Sequence, residues 1–251
     1  MNKFTELTSR GFTLIEMAMV MMIVGLLLAG LVPTLSAQME LRRINETRKQ
    51  LEEIKEALVG FVIINGRLPC PADGLIPTGQ LNAGKEAKTG TVCANITNNM
   101  ANGVIPWAIL GVNETDAWGR RFTYRIASDF ADDFNNPTYG NPCVPNPAPT
   151  QASFALCSTG NLVVAASFTY TTGITNEAPA VTVSHGENGL GAYMPNGVKI
   201  PITGASSDEA ANADNNNDFV YHEATSDFDD QVIWLSTNIL FNRMVAAGKL
   251  P

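Results

Sequence analysis

The chain has 251 residues, of which 45% are hydrophobic and 16% are charged, a composition typical of a globular protein rather than a disordered one. Its 16 basic and 24 acidic residues give a net charge of −8, which argues against a general nucleic-acid-binding surface because such surfaces need a basic excess. Only one stretch approaches the ~20 apolar residues of a membrane span, so a multi-span membrane protein is excluded.

The first predicted element is an apolar segment near the N-terminus. Residues 1–11 are polar, whereas residues 17–35 contain no charged side chain. A helix over residues 12–35 would be roughly 36 Å long at about 1.5 Å per residue, which is enough to cross the core of a bilayer. The segment therefore predicts a single membrane-spanning helix.

Three interpretations of this segment compete. A secretory signal peptide should have an apolar run of only about 7–15 residues, and residues 34–37 form only a passable cleavage site. A plain N-terminal anchor would remain unprocessed. The third interpretation starts from Glu16, a carboxylate whose insertion costs about 2.5–3.5 kcal/mol and which should therefore have a partner. Cleavage after Gly11 would supply one, because the new α-amine of Phe12 could pair with Glu16 of a neighbouring subunit.

Residues 10–16, with the sequence RGFTLIE, resemble the processing site of type IV pilins and of the pseudopilins of type II secretion. The resemblance implies that a prepilin peptidase cuts after Gly11 and N-methylates the new terminus at Phe12. It also implies that Glu16 guides subunits into a growing filament and that Pro33 kinks or locally melts the helix in filaments. A weaker resemblance covers residues 116–124, where pseudopilins have a turn that leads into a strand.

The same resemblance implies partners and a location. The partners would be a prepilin peptidase, other pilin or pseudopilin subunits and an inner-membrane assembly platform. A single span would hold the chain in the inner membrane with its domain in the periplasm, until it enters a periplasmic or extracellular filament. Counting Lys and Arg residues alone favours the reverse orientation, since the leader holds two and residues 42–49 hold four.

The predicted function is that of a structural subunit of a type IV pilus or a type II secretion pseudopilus, and not that of an enzyme. Its bulky polar loops favour a minor or tip subunit. The alternative is a membrane-anchored adhesin or ligand-binding module displayed by such a filament. That module would bind a secreted cargo or a surface ligand through the Pro-rich residues 136–151 and the Asn-rich residues 205–217.

A second helical pattern follows Pro33 and ends near Asn65, where Gly66 and Pro69 prevent its continuation. Apolar residues recur in it at helical spacing, namely Leu41, Ile44, Leu51, Ile54, Leu58 and Phe61. The predicted organisation is a leader at 1–11, a transmembrane and assembly helix at 12–35, an amphipathic helix at 36–64 and a globular domain at 65–251.

The predicted fold class is α+β, with a long N-terminal helix packed on an antiparallel sheet and a helix at the C-terminus. Strand-like runs occur at residues 122–126, 161–170 and 180–184, each bounded by Gly, Asn or Pro. The C-terminal helix is predicted from about Asp230 to Ala247, with acidic residues before it that favour its dipole. Its predicted buried residues are Val232, Leu235, Ile239, Leu240 and Met244.

The four cysteines all follow the apolar segment: Cys70, Cys93, Cys143 and Cys157. The predicted topology puts them in the oxidising periplasm, so two disulfides are predicted. Three pairings exist, and we favour Cys70–Cys93 with Cys143–Cys157 because each would tie down a loop with little core of its own. A zinc site is disfavoured, since the sequence has no CxxC and neither histidine has metal-ligand spacing to a cysteine.

A candidate calcium loop occurs at residues 214–218, with the sequence DNNND. Its alternation matches the start of calcium-binding loops, so Asp214, Asn216 and Asp218 are the candidate ligands. The loop lacks the Gly and the distal Glu of an EF-hand, and a hydrated polar loop is the simpler interpretation. Calcium is the only cofactor that the sequence suggests.

Catalytic motifs are weak. Ser184 and His185 are adjacent, and neighbours on a strand point to opposite faces, so they make a poor nucleophile–base pair. The sequence contains no P-loop, dinucleotide fingerprint or G-x-S-x-G motif. These observations favour a structural protein over a hydrolase.

Overall fold

A computed structural model of the chain describes residues 11–97, 99–131, 152–169 and 173–250. The chain divides into two compact units, Met1–Arg43 and Ile44–Pro251. The described residues contain both helices and strands, so the predicted α+β class is confirmed. The helices are α1 (Leu14–Asn65), α2 (Trp107–Leu110), α3 (Ser207–Ala213) and α4 (Thr237–Ala246). The strands are β1 (Lys88–Thr89), β2 (Val92–Cys93), β3 (Ile96–Thr97), β4 (Met100–Val104), β5 (Thr123–Ala127), β6 (Leu162–Ala165), β7 (Gly173–Ala178), β8 (Ala180–Ser184), β9 (Asp218–Val220) and β10 (Gln231–Trp234).

The first unit contains the N-terminal part of α1. The helix includes Pro33, and the kink or local melting that the resemblance implies at this proline in filaments stays a prediction. Among the residues that the structure describes, no helix combines the length and hydropathy that a membrane span requires. The membrane-spanning role of residues 12–35 stays a prediction.

The second unit is built on a five-stranded antiparallel sheet with the strand order β10-β8-β5-β4-β3. Three side chains from the later part of α1, Leu51, Ile54 and Leu58, are buried in one cluster with Phe122 and Ile126. Burying each of them fully stabilises the fold by about 1.5–3 kcal/mol. The predicted packing of a helix on an antiparallel sheet is confirmed.

Two of the six apolar positions predicted for the amphipathic helix, Ile44 and Phe61, are only half-buried, and Leu41 is exposed.

A second, three-stranded sheet has the order β7-β6-β9. Its β6–β9 pair is parallel, unlike every pair of the larger sheet, and the chain returns to it through α3. Parallel neighbours need such a crossover. Buried residues of this sheet, including Leu162 and Phe219, pack with Met100 and Val183.

The predicted start of the C-terminal helix is wrong. Residues 231–234 form β10, which pairs with β8, and α4 begins only at Thr237. The β-branched and aromatic residues of the sequence QVIW favour an extended strand over a helix. Val232, Leu235, Leu240 and Met244 are buried as predicted, whereas Ile239 is 47% exposed.

The three predicted strand-like runs are confirmed in full or in part. The strand at Ala180–Ser184 is confirmed, and the predicted run at 122–126 corresponds to β5. The predicted run at 161–170 is a strand only over β6, and its last residue lies outside the described residues.

Two prominent contacts fix the loops around the sheet. Cys70 and Cys93 form a disulfide, so this predicted pairing is confirmed. Cys143 lies outside the described residues, and the pairing Cys143–Cys157 stays a prediction. The guanidinium of Arg121 is fully buried and donates to the carbonyls of residues 74, 76 and 195, to the Thr78 hydroxyl and to the Glu114 carboxylate.

Candidate functional site

The predicted processing site lies at the start of α1, where Thr13 and Glu16 close the first turn. The backbone N–H and the hydroxyl of Thr13 each donate to Oε2 of Glu16 at 2.8 Å. The N–H of Glu16 donates back to Oγ1 of Thr13 at 3.3 Å. This reciprocal pair is a capping box, with Thr13 at the N-cap and Glu16 three residues later. The prediction that Glu16 gains a partner only after cleavage is therefore wrong.

The peptide between Gly11 and Phe12 is open to solvent. Gly11 is exposed, and the Phe12 side chain is 84% exposed. A Cβ atom built on Gly11 would meet no atom within 4 Å. Within the described chain, packing therefore places no restriction on residue 11, and a peptidase could reach the bond.

The predicted calcium ligands are occupied by hydrogen bonds within their own loop. Both carboxylate oxygens of Asp214 accept hydrogen bonds from Asn216, at 3.0 Å from the backbone N–H and 2.9 Å from the side-chain amide. The amide oxygen of Asn216 in turn accepts a bond of 2.8 Å from the N–H of Asp218. This geometry supports the hydrated-loop interpretation, and calcium binding by these three residues stays a prediction.

A carboxylate cluster that sequence reasoning missed lies nearby in the second unit. Each of Glu209, Asp229 and Asp230 offers an oxygen, and these oxygens lie within 4.8 Å of one another. Within the described residues, this is the one set of three such side chains whose ligand atoms lie close enough together to share a cation. Burial raises the pKa of Asp229 to about 6, helped by the charges of its two neighbours and opposed by the N–H of Asn188. His185 is also close, with Nδ1 3.6 Å from Oδ1 of Asp230.

The local sequence gave only partial signals for this cluster. Glu209 belongs to a capping box with Ser206 that begins α3, a pattern readable as S-x-x-E. Asp229 and Asp230 precede β10 rather than a helix, so the dipole role predicted for them is wrong. No local pattern joins residue 209 to residues 229 and 230, because the fold alone brings them together.

The serine and histidine considered for catalysis have separate buried partners. Ser184 donates to Oδ2 of Asp116 at 2.7 Å, and Nε2 of His185 lies 2.9 Å from the hydroxyl of Thr123. Asp116 also accepts from the N–H groups of Trp118 and Arg120, at 3.0 Å each, which shapes the turn before β5. These bonds give Ser184 and Asp116 structural roles.

The two loops considered as ligand-binding segments differ in what the structure describes. Residues 136–151 lie outside the described residues. Residues 205–217 include α3, in which Glu209, Ala211 and Asn212 are buried. The prediction that this second segment is a free loop is therefore wrong, since its side chains contribute to the core.

Comparison with known families identifies the N-terminal segment. Residues 8–32 match the family model of the prokaryotic N-terminal methylation motif, which is the signature of type IV pilins and pseudopilins. The predicted resemblance is thereby confirmed, and the motif implies processing by a prepilin peptidase and assembly with other pilin subunits. No curated protein and no solved structure matches the chain significantly.

Proposed function

We propose that the chain is a structural subunit of a type IV pilus or a type II secretion pseudopilus. A prepilin peptidase cuts it after Gly11 and N-methylates Phe12, and the mature subunit joins a filament through its N-terminal helix. The methylation motif over residues 8–32 is the observation that carries this proposal. The exposure of the bond to be cut supports it, because the peptidase must reach that bond.

Glu16 is proposed as the assembly carboxylate. After cleavage, the α-amine of Phe12 in one subunit pairs with Glu16 of its neighbour. Glu16 is exposed within the described chain. Both bonds from Thr13 end on Oε2, and a carboxylate has acceptor capacity on its second oxygen as well. Glu16 can therefore cap its own helix and accept from a neighbouring amine.

The proposal also covers the location of the subunit in the cell and its position in the filament. The subunit is anchored in the inner membrane before assembly, with its globular unit in the periplasm, and it contacts an inner-membrane assembly platform. The size of the globular unit and its long polar segments support a minor or tip subunit, because a large domain packs less readily into a repeating shaft.

The direct test is the intact mass and N-terminal sequence of the protein isolated from membranes. We expect a chain that begins at methylated Phe12. A chain that begins at Met1 in cells with an active prepilin peptidase would leave only a plain anchor. A chain that begins near Ala37 would indicate a secreted protein and exclude the filament role.

Gly11→Val serves as the matched control for this test. A side chain at residue 11 meets no atom within 4 Å, so the fold should be unchanged. We expect the variant to keep its leader and to be absent from filaments. Normal processing of this variant would show that the cut lies elsewhere.

A further inference from the structure

A polar cavity of about 250 Å³ lies in the second unit, where β4 and β5 face residues 191–215. Among the described residues that line it, two are cationic and none is acidic. The two cationic residues are Arg125 and Lys199. The other polar residues of the lining are Asn95, Thr97, Asn102, Thr123, Tyr193 and Asn215. A concave concentration of positive charge in a chain with a net charge of −8 is a feature that neither the packing of the core nor assembly requires.

Arg125 is the central cation of this cavity. Its side chain is 2% exposed, and its guanidinium carbon lies 5.0 Å from the centre of the Phe219 ring. Nη2 donates to the carbonyl of Asp214, whereas Nε and Nη1 are buried without a hydrogen-bond partner among the described residues. Buried donors of a charged group are costly when they are unpaired. These two nitrogens are closed off from the cavity, so a bound anion would be attracted by the positive charge of Arg125 rather than hydrogen-bonded to them.

Lys199 supplies a second positive charge beside Arg125. Its ammonium donates to the carbonyl of Ala213 at 3.2 Å and lies 5.3 Å from the centre of the Tyr193 ring. Burial lowers the pKa of Lys199, and the positive charge of Arg125 lowers it further. The two cations therefore repel each other, and an anion between them would relieve that repulsion.

The nearby carboxylate of Asp214 does not line the cavity, so it leaves the position of an anion there open. It attracts both cations, but its two oxygens accept hydrogen bonds from Asn216. Within the described lining, the remaining polar groups are neutral amides and hydroxyls. Amides and hydroxyls of this kind donate to and accept from the hydroxyl groups of a ligand.

We propose that this cavity binds an acidic monosaccharide, with the sugar carboxylate beside Lys199 in the positive field of Arg125 and the sugar hydroxyls against the neutral amides and hydroxyls of the lining. The volume suits one sugar ring, since cavities for larger ligands begin at about 300 Å³. This activity goes beyond the structural role proposed above and does not depend on it, because the cavity lies wholly within the second unit.

The test is isothermal titration of the full chain in detergent with glucuronate, and with glucose as the matched neutral sugar. We expect glucuronate to bind at least roughly tenfold more tightly than glucose, because its carboxylate makes charge-assisted hydrogen bonds. No binding of glucuronate, or equal binding of glucose, would overturn the proposal. Acetate and inorganic phosphate are titrated in parallel, and either one binding as tightly as glucuronate would show that the cavity does not recognise a sugar.

Three variants locate the binding. Lys199→Gln removes a charge from a partly exposed side chain, so the fold should persist, and we expect roughly tenfold weaker binding of glucuronate. Arg125→Gln should abolish binding but alters a buried group, so its fold is checked by circular dichroism. Lys85→Gln, at an exposed lysine outside the cavity lining, is the control and should bind like the native chain. Native affinity in Lys199→Gln, or an equal loss in Lys85→Gln, would contradict the assignment.

Discussion

The two units of the chain differ in the exposure of their apolar side chains and in the hydrogen bonding of their polar groups. In the first unit, side chains such as Phe12 and Leu14 are more than four-fifths exposed, and bonds between Thr13 and Glu16 cap the start of the helix. In the second unit, a large cluster of apolar side chains is buried, and even the guanidinium of Arg121 has five hydrogen bonds.

This difference indicates that the first unit is the part of the chain that binds other molecules. Exposed apolar surface on this scale marks an interaction site rather than a solvated surface. The globular unit, by contrast, already contains the partners of most of its buried groups. Changes in the first unit should therefore affect assembly, whereas changes in the second should affect the free energy of unfolding.

The largest effect is expected for Glu16→Ala, which should abolish incorporation into filaments because the neighbour's amine loses its carboxylate. Thr13→Ala is the matched control: it breaks the same capping box at a cost of about 1 kcal/mol but leaves the carboxylate in place. Sheared filaments analysed by immunoblotting give the measurement. Equal loss in both variants would show that Glu16 acts only as a helix cap and would remove the contrast between the units.

The next largest effect is expected for the disulfide of the second unit. Replacing Cys70 and Cys93 by serine should lower the free energy of unfolding by about 3 kcal/mol, because the bond closes a loop with a sequence separation of 23 residues. Urea unfolding followed by tryptophan fluorescence measures this change, since Trp107, Trp118 and Trp234 all lie in the second unit. A loss below the error of the measurement would contradict a stabilising role.

Glu86→Gln should lower the free energy of unfolding by about 2 kcal/mol at pH 7, because it breaks a largely buried pair with Arg67. The carboxylate accepts from Arg67 at 2.6 and 3.0 Å and from the N–H of Cys70 at 2.7 Å. Glu52→Gln, at an exposed pair with Lys55, is the control and should change stability by less than about 1 kcal/mol.

The pair of Glu86 and Arg67 should also make the free energy of unfolding depend on pH. Burial acts to raise the pKa of Glu86, but the hydrogen bonds and charge of Arg67 outweigh burial, so the pKa is lowered. Its stabilisation is therefore present above the unfolded value of about 4.3 and is lost as the pH falls through the folded value. Urea unfolding of the native chain and of Glu86→Gln should converge in acid. A constant difference between them would contradict the pairing.

The smallest effect is expected at Asp229, where substitution should raise the free energy of unfolding instead of lowering it. Its pKa of about 6 in the folded state exceeds the unfolded value of about 3.9, so its stabilisation falls as the pH rises between these values. Asp229→Asn should raise the free energy of unfolding at pH 7 by about 1 kcal/mol, after allowance for partial exposure. The control is Asp227→Asn, at an exposed aspartate. Destabilisation by Asp229→Asn would show that the charge of Asp229 is needed, for example by a bound cation.

Sequence patterns predicted local features of the fold well and long-range features poorly. The helical periodicity identified Leu51, Ile54 and Leu58 as core residues, and a strand-like run bounded by Gly, Asn or Pro identified β8. The parallel β6–β9 pair was missed, because about fifty residues separate its strands and no short pattern encodes their pairing.

The candidate sites follow the same division. The processing motif at residues 10–16 is contiguous, so the sequence alone identifies it. The carboxylate cluster joins residue 209 to residues 229 and 230, and the cationic cavity joins Arg125 to Lys199. Charged side chains at such separations acquire a shared role only when the fold brings them together, so their sequence carries no visible signal.

The buried guanidinium of Arg121 has a consequence for how the globular unit opens. It binds residues 74–78, Glu114 and Pro195, which belong to three separate segments of the chain. Opening any one of these segments leaves donors of a buried cation unsatisfied, which is unfavourable. The segments should therefore open together as one cooperative unit, and their amide hydrogens should exchange with solvent at a common rate.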